Sequence, residues 1–208
     1  MADPQTPPRS GPPHHHGLAK LALRDQLLTA RHRLGLAQIG EAARDLASQL
    51  LALPEIHRSA TVAAYVSVGN EPGTSSLIDA LQTSGRRVLL PRVLPDNDLD
   101  WSVYAGPASL QRGPRGILEP DGPLLGVNAI AGADAVLVPG LAVDARGYRL
   151  GRGGGSYDRA LGRVPVGTFT CVLLYDDEVG LKVPVEPHDR PVAAVASPSG
   201  ITRLRRTL

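Results

Sequence analysis

The densest run of potential chemistry in the chain is Arg149-Leu-Gly-Arg-Gly-Gly-Gly-Ser-Tyr-Asp158. Glycine stands at positions 151, 153, 154 and 155, which removes side chains where a backbone would approach a ligand and permits positive φ. Successive N–H groups in such a loop form an anion-binding nest, and a helix starting near Ser156 would add its partial positive charge. Five arginines, Arg146, Arg149, Arg152, Arg159 and Arg163, fall within 18 residues. Loop and arginines together point to a phosphate ligand; on the loop alone the alternative is a flexible turn with solvated cations. Asp158, in the first turn of that helix, is either a ligand for a hard divalent cation beside phosphate or a carboxylate balancing the helix dipole. A dinucleotide fingerprint does not fit, because Ser156 stands where its third glycine belongs and no clean strand runs into the loop. A Walker A loop is excluded: Lys20 and Lys182 are the only lysines, and neither follows a glycine.

Some framework must hold that loop, and the hydrophobic periodicity predicts it. Leu18 to Leu34 reads as a helix rich in Leu, Ala and Arg. A second helix follows from Leu36, with an apolar stripe at Leu36, Ile39, Ala43, Leu46, Leu50 and Leu53, and Pro54 stops it. Ala60 to Val68 is a nearly unbroken apolar run, as expected of a strand covered on both faces. A short helix capped by Thr74 or Ser75 and ended by Gly85 leads to a strand at Arg87–Leu90, closed by Pro91. This order predicts a βαβ unit and a parallel sheet. Asp100–Tyr104 alternates like a half-exposed strand, while Asp134–Val138 and Thr168–Leu174 read as buried strands. The expected fold is a single-domain three-layer α/β/α architecture around a mostly parallel sheet. Its span is 18–200, after a disordered extension at 1–17 and before a tail at 201–208. The His14–His16 triplet in the Pro-rich extension reads as a metal-binding run or a plain linker, outside the fold.

Composition narrows the function. The chain has 208 residues, long enough for one well-buried core, and a formal net charge of +2. That charge does not argue for a nucleic-acid or membrane partner. The arginines at 203, 205 and 206 are the one feature that suggests an RNA-binding module, and they also fit a solvated end. Cys171 stands alone, so neither an internal disulfide nor a cysteine zinc site is possible. Without an apolar run of membrane length, a soluble, cytoplasmic and monomeric protein is expected.

The run Asp134–Leu161 resembles the signature of the 5-formyltetrahydrofolate cyclo-ligase family: an aspartate, an apolar strand, Pro-Gly, then a glycine-rich loop ending in Tyr-Asp-Arg. Other blocks agree in order: Lys20-x-x-x-Arg24, Tyr65–Thr74, Leu90-Pro91-Arg92, Gly116–Pro120 and Pro187-His188-Asp189. The resemblance runs from about Lys20 to Ser197. It implies an enzyme that uses ATP and Mg²⁺ to cyclise 5-formyltetrahydrofolate to 5,10-methenyltetrahydrofolate, through phosphorylation of the formyl oxygen and attack by N10.

Carried onto this chain, the resemblance implies an ATP site of Lys20, Leu21, Ala22, Leu23 and Arg24 with Arg149, Leu150, Gly151, Arg152, Gly153, Gly154, Gly155, Ser156 and Tyr157. Arg152 is the implied catalytic stabiliser of charge. The folate would meet Arg24, Val66, Glu71, Arg152, Gly153, Gly154, Gly155 and Ser156, and Asp158 and Asp189 would hold Mg²⁺. On the residues alone, Lys20 also fits a solvated lysine, Glu71 a turn residue and Asp189 a loop aspartate. Trp101 fits either a ligand-stacking ring or a core residue. Two positions depart from the family: many relatives have Tyr where Ser156 stands, and some have Lys where Gly154 stands. A different ATP- or phosphate-ligand enzyme on the same fold is the alternative those departures leave.

Overall fold

The computed structural model describes residues 14–205, with side chains from Gly17. Its centre is a seven-stranded sheet in the order β11-β10-β9-β6-β1-β2-β3. The five inner strands are β1 (Thr61–Ala63), β2 (Arg87–Val93), β6 (Ala135–Pro139), β9 (Phe169–Leu173) and β10 (Ala194–Ser197). They run parallel to one another, while β3 (Leu99–Val103) and β11 (Gly200–Arg203) close the two edges antiparallel. Strand β9 is buried along its whole length and β6 nearly so, because apolar clusters cover both faces. On one face α2 (Leu36–Ala52) and α4 (Ser75–Thr83) bring Leu46, Leu50, Leu77 and Leu81 against Val62, Val88 and Cys171. Enclosure pushes the Cys171 thiol up to about 12, so this lone cysteine is an inert core group. On the other face α5 (Ser156–Gly162) and the 3-10 segment Val127–Gly132 cover Trp101, Val136 and Val138.

The remaining elements are α1 (His14–Arg31), α3 (Pro54–His57), and two hairpins, β4 (Leu110–Arg112) with β5 (Leu118–Pro120) and β7 (Ala142–Val143) with β8 (Arg149–Leu150). The second hairpin delivers the glycine-rich loop to α5.

Several expectations change. Strand β1 is only three residues long: its last ladder bond runs from the Ala64 N–H to the Leu89 carbonyl, and 64–68 then leave the sheet. Pro91 does not end β2. The Tyr104 N–H bonds the Val88 carbonyl, which places Pro91's missing donor on the β1 side, beyond β1's last partner. Strand β3 is buried rather than half-exposed, because α5 and the 3-10 segment lie on it. Trp101 is a core residue. The stripe of α2 begins later than expected, since Leu36 is exposed and Ala42, Leu46, Ala47 and Leu50 are the buried positions.

The domain limits shift as well. Helix α1 starts at His14, inside the expected extension, and Ile201–Arg203 belong to edge strand β11 rather than a tail. Arg203 is engaged there, ion-paired to Glu55 and lying 4.9 Å from the Phe169 ring centroid. Met1–Pro13, Arg206–Leu208 and the side chains of the histidine triplet lie outside the described residues.

Candidate active site

Chain order sets where a crevice must open. From β1 the chain moves through α4 to β2 on one side, and it returns much later to place β6 on the other. Ligands of open α/β sheets bind at the carboxyl ends of strands that flank such a switch. A cavity of about 440 Å³ lies there, lined by Tyr65 and Val66 after β1, Pro91 and Val93 in β2, and Pro139 and Gly140 after β6.

The glycine-rich loop forms one wall. Gly155, at φ 66°, is the N-cap of α5 in a left-handed conformation that favours glycine. The loop is tethered from α1, where Arg24 Nε donates to the Gly151 carbonyl at 2.8 Å. Arg149 Nη1 donates at 3.0 Å to Asp158 Oδ1, which also accepts the Arg190 N–H at 3.0 Å. Arg149 Nε is buried with no partner among the described residues.

The opposite wall is the segment after β1. The Thr74 hydroxyl does not cap α4. Instead the hydroxyl donates to the Tyr65 carbonyl at 2.7 Å and accepts the Ser67 N–H at 3.0 Å, stapling the turn. Within that turn Glu71 Oε2 accepts the Val68 N–H at 2.9 Å, and Glu71 Oε1 accepts Arg152 Nε at 2.9 Å from across the cavity. The Tyr65 hydroxyl is buried with no partner among the described residues; burial, with Glu71's charge adding, pushes its phenol well up. Burial likewise pushes the Tyr157 phenol far above its ordinary value, again helped by Glu71, so both rings present neutral hydroxyls at physiological pH.

At the cavity's third side Lys20 Nζ lies 2.6 Å from Glu186 Oε2 and 2.8 Å from Asp189 Oδ2. Burial alone would lower the Lys20 pKa, yet hydrogen bonds and attraction from the two carboxylates hold it above its ordinary 10.5. Ligand atoms of Glu186, His188 and Asp189 all lie within 4.8 Å of one another. The carboxylates of Asp158 and Asp189, lining one cavity beside a phosphate-type nest, suit a hard divalent cation shared with phosphate oxygens once Lys20 yields Asp189.

The structure therefore brings together Lys20, Arg24, Val66, Glu71, Arg149–Asp158 and Asp189 around one cavity. It does not bring Leu21, Ala22 or Leu23 there. Helical geometry turns Leu21 and Ala22 to solvent, and Leu23 packs beside Leu27 and Leu141. Two residues were missed. Glu186 was legible as an acid three positions before Asp189. Arg31, also overlooked, sits on the α1 stripe Lys20, Arg24, Leu27, Arg31, whose 4-3-4 spacing is that of a buried helix face. Its guanidinium donates to Glu178 Oε1 and Oε2 at 2.7 and 2.8 Å and to the Gly140 carbonyl at 2.7 Å. Its backbone carbonyl accepts Asn70 Nδ2 at 2.8 Å, which pins the turn that carries Glu71.

Fold and site define an α/β enzyme with a phosphate-type nest at a sheet switch point. A profile of the 5-formyltetrahydrofolate cyclo-ligase family matches residues 17–198. A 5-formyltetrahydrofolate cyclo-ligase of Mycolicibacterium smegmatis is 43% identical over 151 residues, covering 70% of this chain and 77% of that one. One from Escherichia coli strain K12 is 32% identical over 179 residues, 82% of this chain and 96% of its own. The solution NMR structure of Aquifex aeolicus 5,10-methenyltetrahydrofolate synthetase superposes with a TM-score of 0.77 at 31% identity, covering 91% and 95% of the two chains. The chain belongs to the 5-formyltetrahydrofolate cyclo-ligase family, and it is an ATP-dependent ligase of folate metabolism.

Proposed function

We propose that this cavity converts 5-formyltetrahydrofolate to 5,10-methenyltetrahydrofolate by phosphorylating the formyl oxygen. An amide oxygen leaves poorly; once it carries the γ-phosphoryl group of ATP, N10 attacks the formyl carbon, phosphate departs with the oxygen, and ADP remains. Catalysis of phosphoryl transfer is mostly positioning and charge stabilisation. The observation that carries the reading is the pairing of two walls: a nest flanked by Lys20, Arg24, Arg149 and Arg152 faces a buried acceptor, Glu71, across one cavity.

In this reading the N–H groups of Gly151–Ser156 and the α5 N-terminus hold the triphosphate, with Lys20 and Arg149 beside it. Arg152, half-exposed at the mouth of the nest, takes the transferring phosphoryl group bidentately. Val66 supplies an apolar wall, and Glu71 accepts hydrogen bonds from N–H groups of the reduced pterin. Mg²⁺, held by Asp158 and Asp189 with Glu186 and His188 adjacent, would neutralise charge on the phosphates. Ser156 leaves open the wall that an aromatic ring fills in many relatives.

The test is near-ultraviolet absorbance, because the methenyl product has a band that the substrate lacks. The band is expected to grow only with 5-formyltetrahydrofolate, ATP and Mg²⁺ together, and to be lost in Asp158→Asn. ATP binding without any band in the unmutated protein would overturn the folate assignment.

A further inference from the structure

Arg152 and Glu71 serve two different ligands in the reading above, yet in the free protein each is the other's partner. With Arg152 in place the Glu71 side chain is only 7% exposed. Its Oε2 is committed to the Val68 N–H, and Arg152 Nε caps its Oε1. With Glu71 this enclosed, a ring N–H entering from the cavity meets the Arg152 guanidinium first and competes with it for Oε1.

The two partners are not equally free to move. Glu71 sits in a turn fixed on three sides. Its own N–H bonds the Val68 carbonyl, Asn70 Nδ2 bonds the Arg31 carbonyl, and the Tyr175 hydroxyl bonds the Asn70 carbonyl at 3.2 Å. The Arg152 side chain is 51% exposed and makes no other hydrogen bond among the described residues. It stands between Gly151, tethered by Arg24, and Gly155, where α5 begins. Displacement of the pair thus moves Arg152 and leaves Glu71 where it is. The freed guanidinium is already beside the nest.

We propose that the Arg152–Glu71 ion pair is an exchangeable latch coupling the two substrate sites: the folate displaces Arg152 from Glu71 and so releases the guanidinium to the nucleotide's phosphates. This rests on the assignment of Glu71 to the folate and Arg152 to phosphate. Until folate arrives, the charge-stabilising arginine stays tied to Glu71 through Nε. Because binding linkage is reciprocal, nucleotide that draws Arg152 away uncovers Glu71 and tightens folate binding by the same factor.

Calorimetric titration with two unreactive ligands tests it: the β,γ-imido analogue of ATP with Mg²⁺, and tetrahydrofolate, which lacks the formyl oxygen. In the unmutated protein tetrahydrofolate is expected to tighten the nucleotide analogue about fivefold or more. In Glu71→Gln the analogue alone is expected to bind about as tightly as it does to the folate-loaded unmutated protein. Unchanged or weaker binding would overturn the latch and make Glu71 a prop that holds Arg152 for phosphate. Arg152→Gln gives the complementary reading, since its expected effect is tighter tetrahydrofolate binding without nucleotide; weaker binding there also overturns the latch. Binding of both ligands without coupling sinks the latch alone. Failure of the unmutated protein to bind either ligand sinks the underlying assignment with it.

Discussion

The ion pair between α1 and Glu178 and the ion pairs around the cavity are built differently. Arg31 and Glu178 are both enclosed, at 3% and 5% side-chain exposure, and both carboxylate oxygens are engaged. Three pairs around the cavity each leave one partner reachable: Arg152 opposite Glu71, Glu186 opposite Lys20, and Asp158 opposite Arg149, while Lys20–Asp189 is enclosed at 6% and 8%. A closed pair has no route to a new partner, and removal of one member strands a buried charge. An open pair can be traded for a ligand's charges at little cost. The first kind anchors Arg31, whose backbone carbonyl holds the turn that carries Glu71, and the second stores binding groups in neutralised form until a ligand arrives.

The comparison is broken most directly at Arg152. Arg152→Ala is expected to lower kcat on the order of 10³-fold, as loss of a phosphoryl-stabilising arginine does, while the thermal midpoint stays near that of the unmutated protein. A large fall in midpoint would mean that the open pair is structural after all. Arg31→Met is expected to do the reverse. It should cost about 3–5 kcal/mol in urea unfolding, and Glu178→Leu in the same chain should recover much of the loss. Equal stability costs at Arg31 and Arg152 would erase the distinction.

Two glycines sharpen it at smaller scale. At Gly147, φ is 90° and an added Cβ would meet the Val192 carbonyl oxygen at 2.3 Å, which is backbone that cannot yield. Gly147→Ala is expected to destabilise by roughly 2 kcal/mol or more, seen in denaturant melts. At Gly155 the Cβ would meet only the end of the Arg159 side chain, at 3.2 Å. Gly155→Ala is expected to cost about 1 kcal/mol of stability for its left-handed φ, with nucleotide affinity falling as the nest distorts.

The smallest effect is on the pH profile. A hydrogen bond from Arg163 lowers the Asp98 pKa, with burial opposing it, and a hydrogen bond from Lys20 lowers that of Glu186. A depressed carboxylate stabilises the fold above its unfolded pKa, and that contribution is lost as pH falls through the folded value. The raised Lys20 works in the opposite sense: its contribution is complete below about 10.5 and is lost as pH rises through the higher folded value. Thermal midpoints should therefore hold between about pH 5 and 10 and fall on either side. Burial also raises the Tyr65 and Tyr157 phenols, which share the alkaline arm, so Lys20→Met should make that arm shallower without removing it; an unchanged arm would separate Lys20 from stability.

Much of this was readable from residue order. The nest was legible because four glycines within five positions serve no packing purpose, and the apolar runs at 134–138 and 168–174 announced the buried parallel strands found at 135–139 and 169–173. Where local signals misled, tertiary contacts had overruled them. Alternation at 100–104 looked half-exposed until α5 covered it, and Pro91 looked terminal until its missing donor fell where no neighbour remained. Asp134, read as part of a family hallmark, accepts the Ala60 and Thr61 N–H groups at 2.8 Å and so fixes the start of β1.

What the sequence determined by itself is a list of charges and a backbone able to bind anions, because residue type and spacing are local properties. Which charges face which is decided only by the tertiary structure. Glu71 and Arg152 are 81 residues apart, and Lys20 and Asp189 are 169 apart. No periodicity spans such distances; the switch of strand order at β1 is what brings those residues to one cavity.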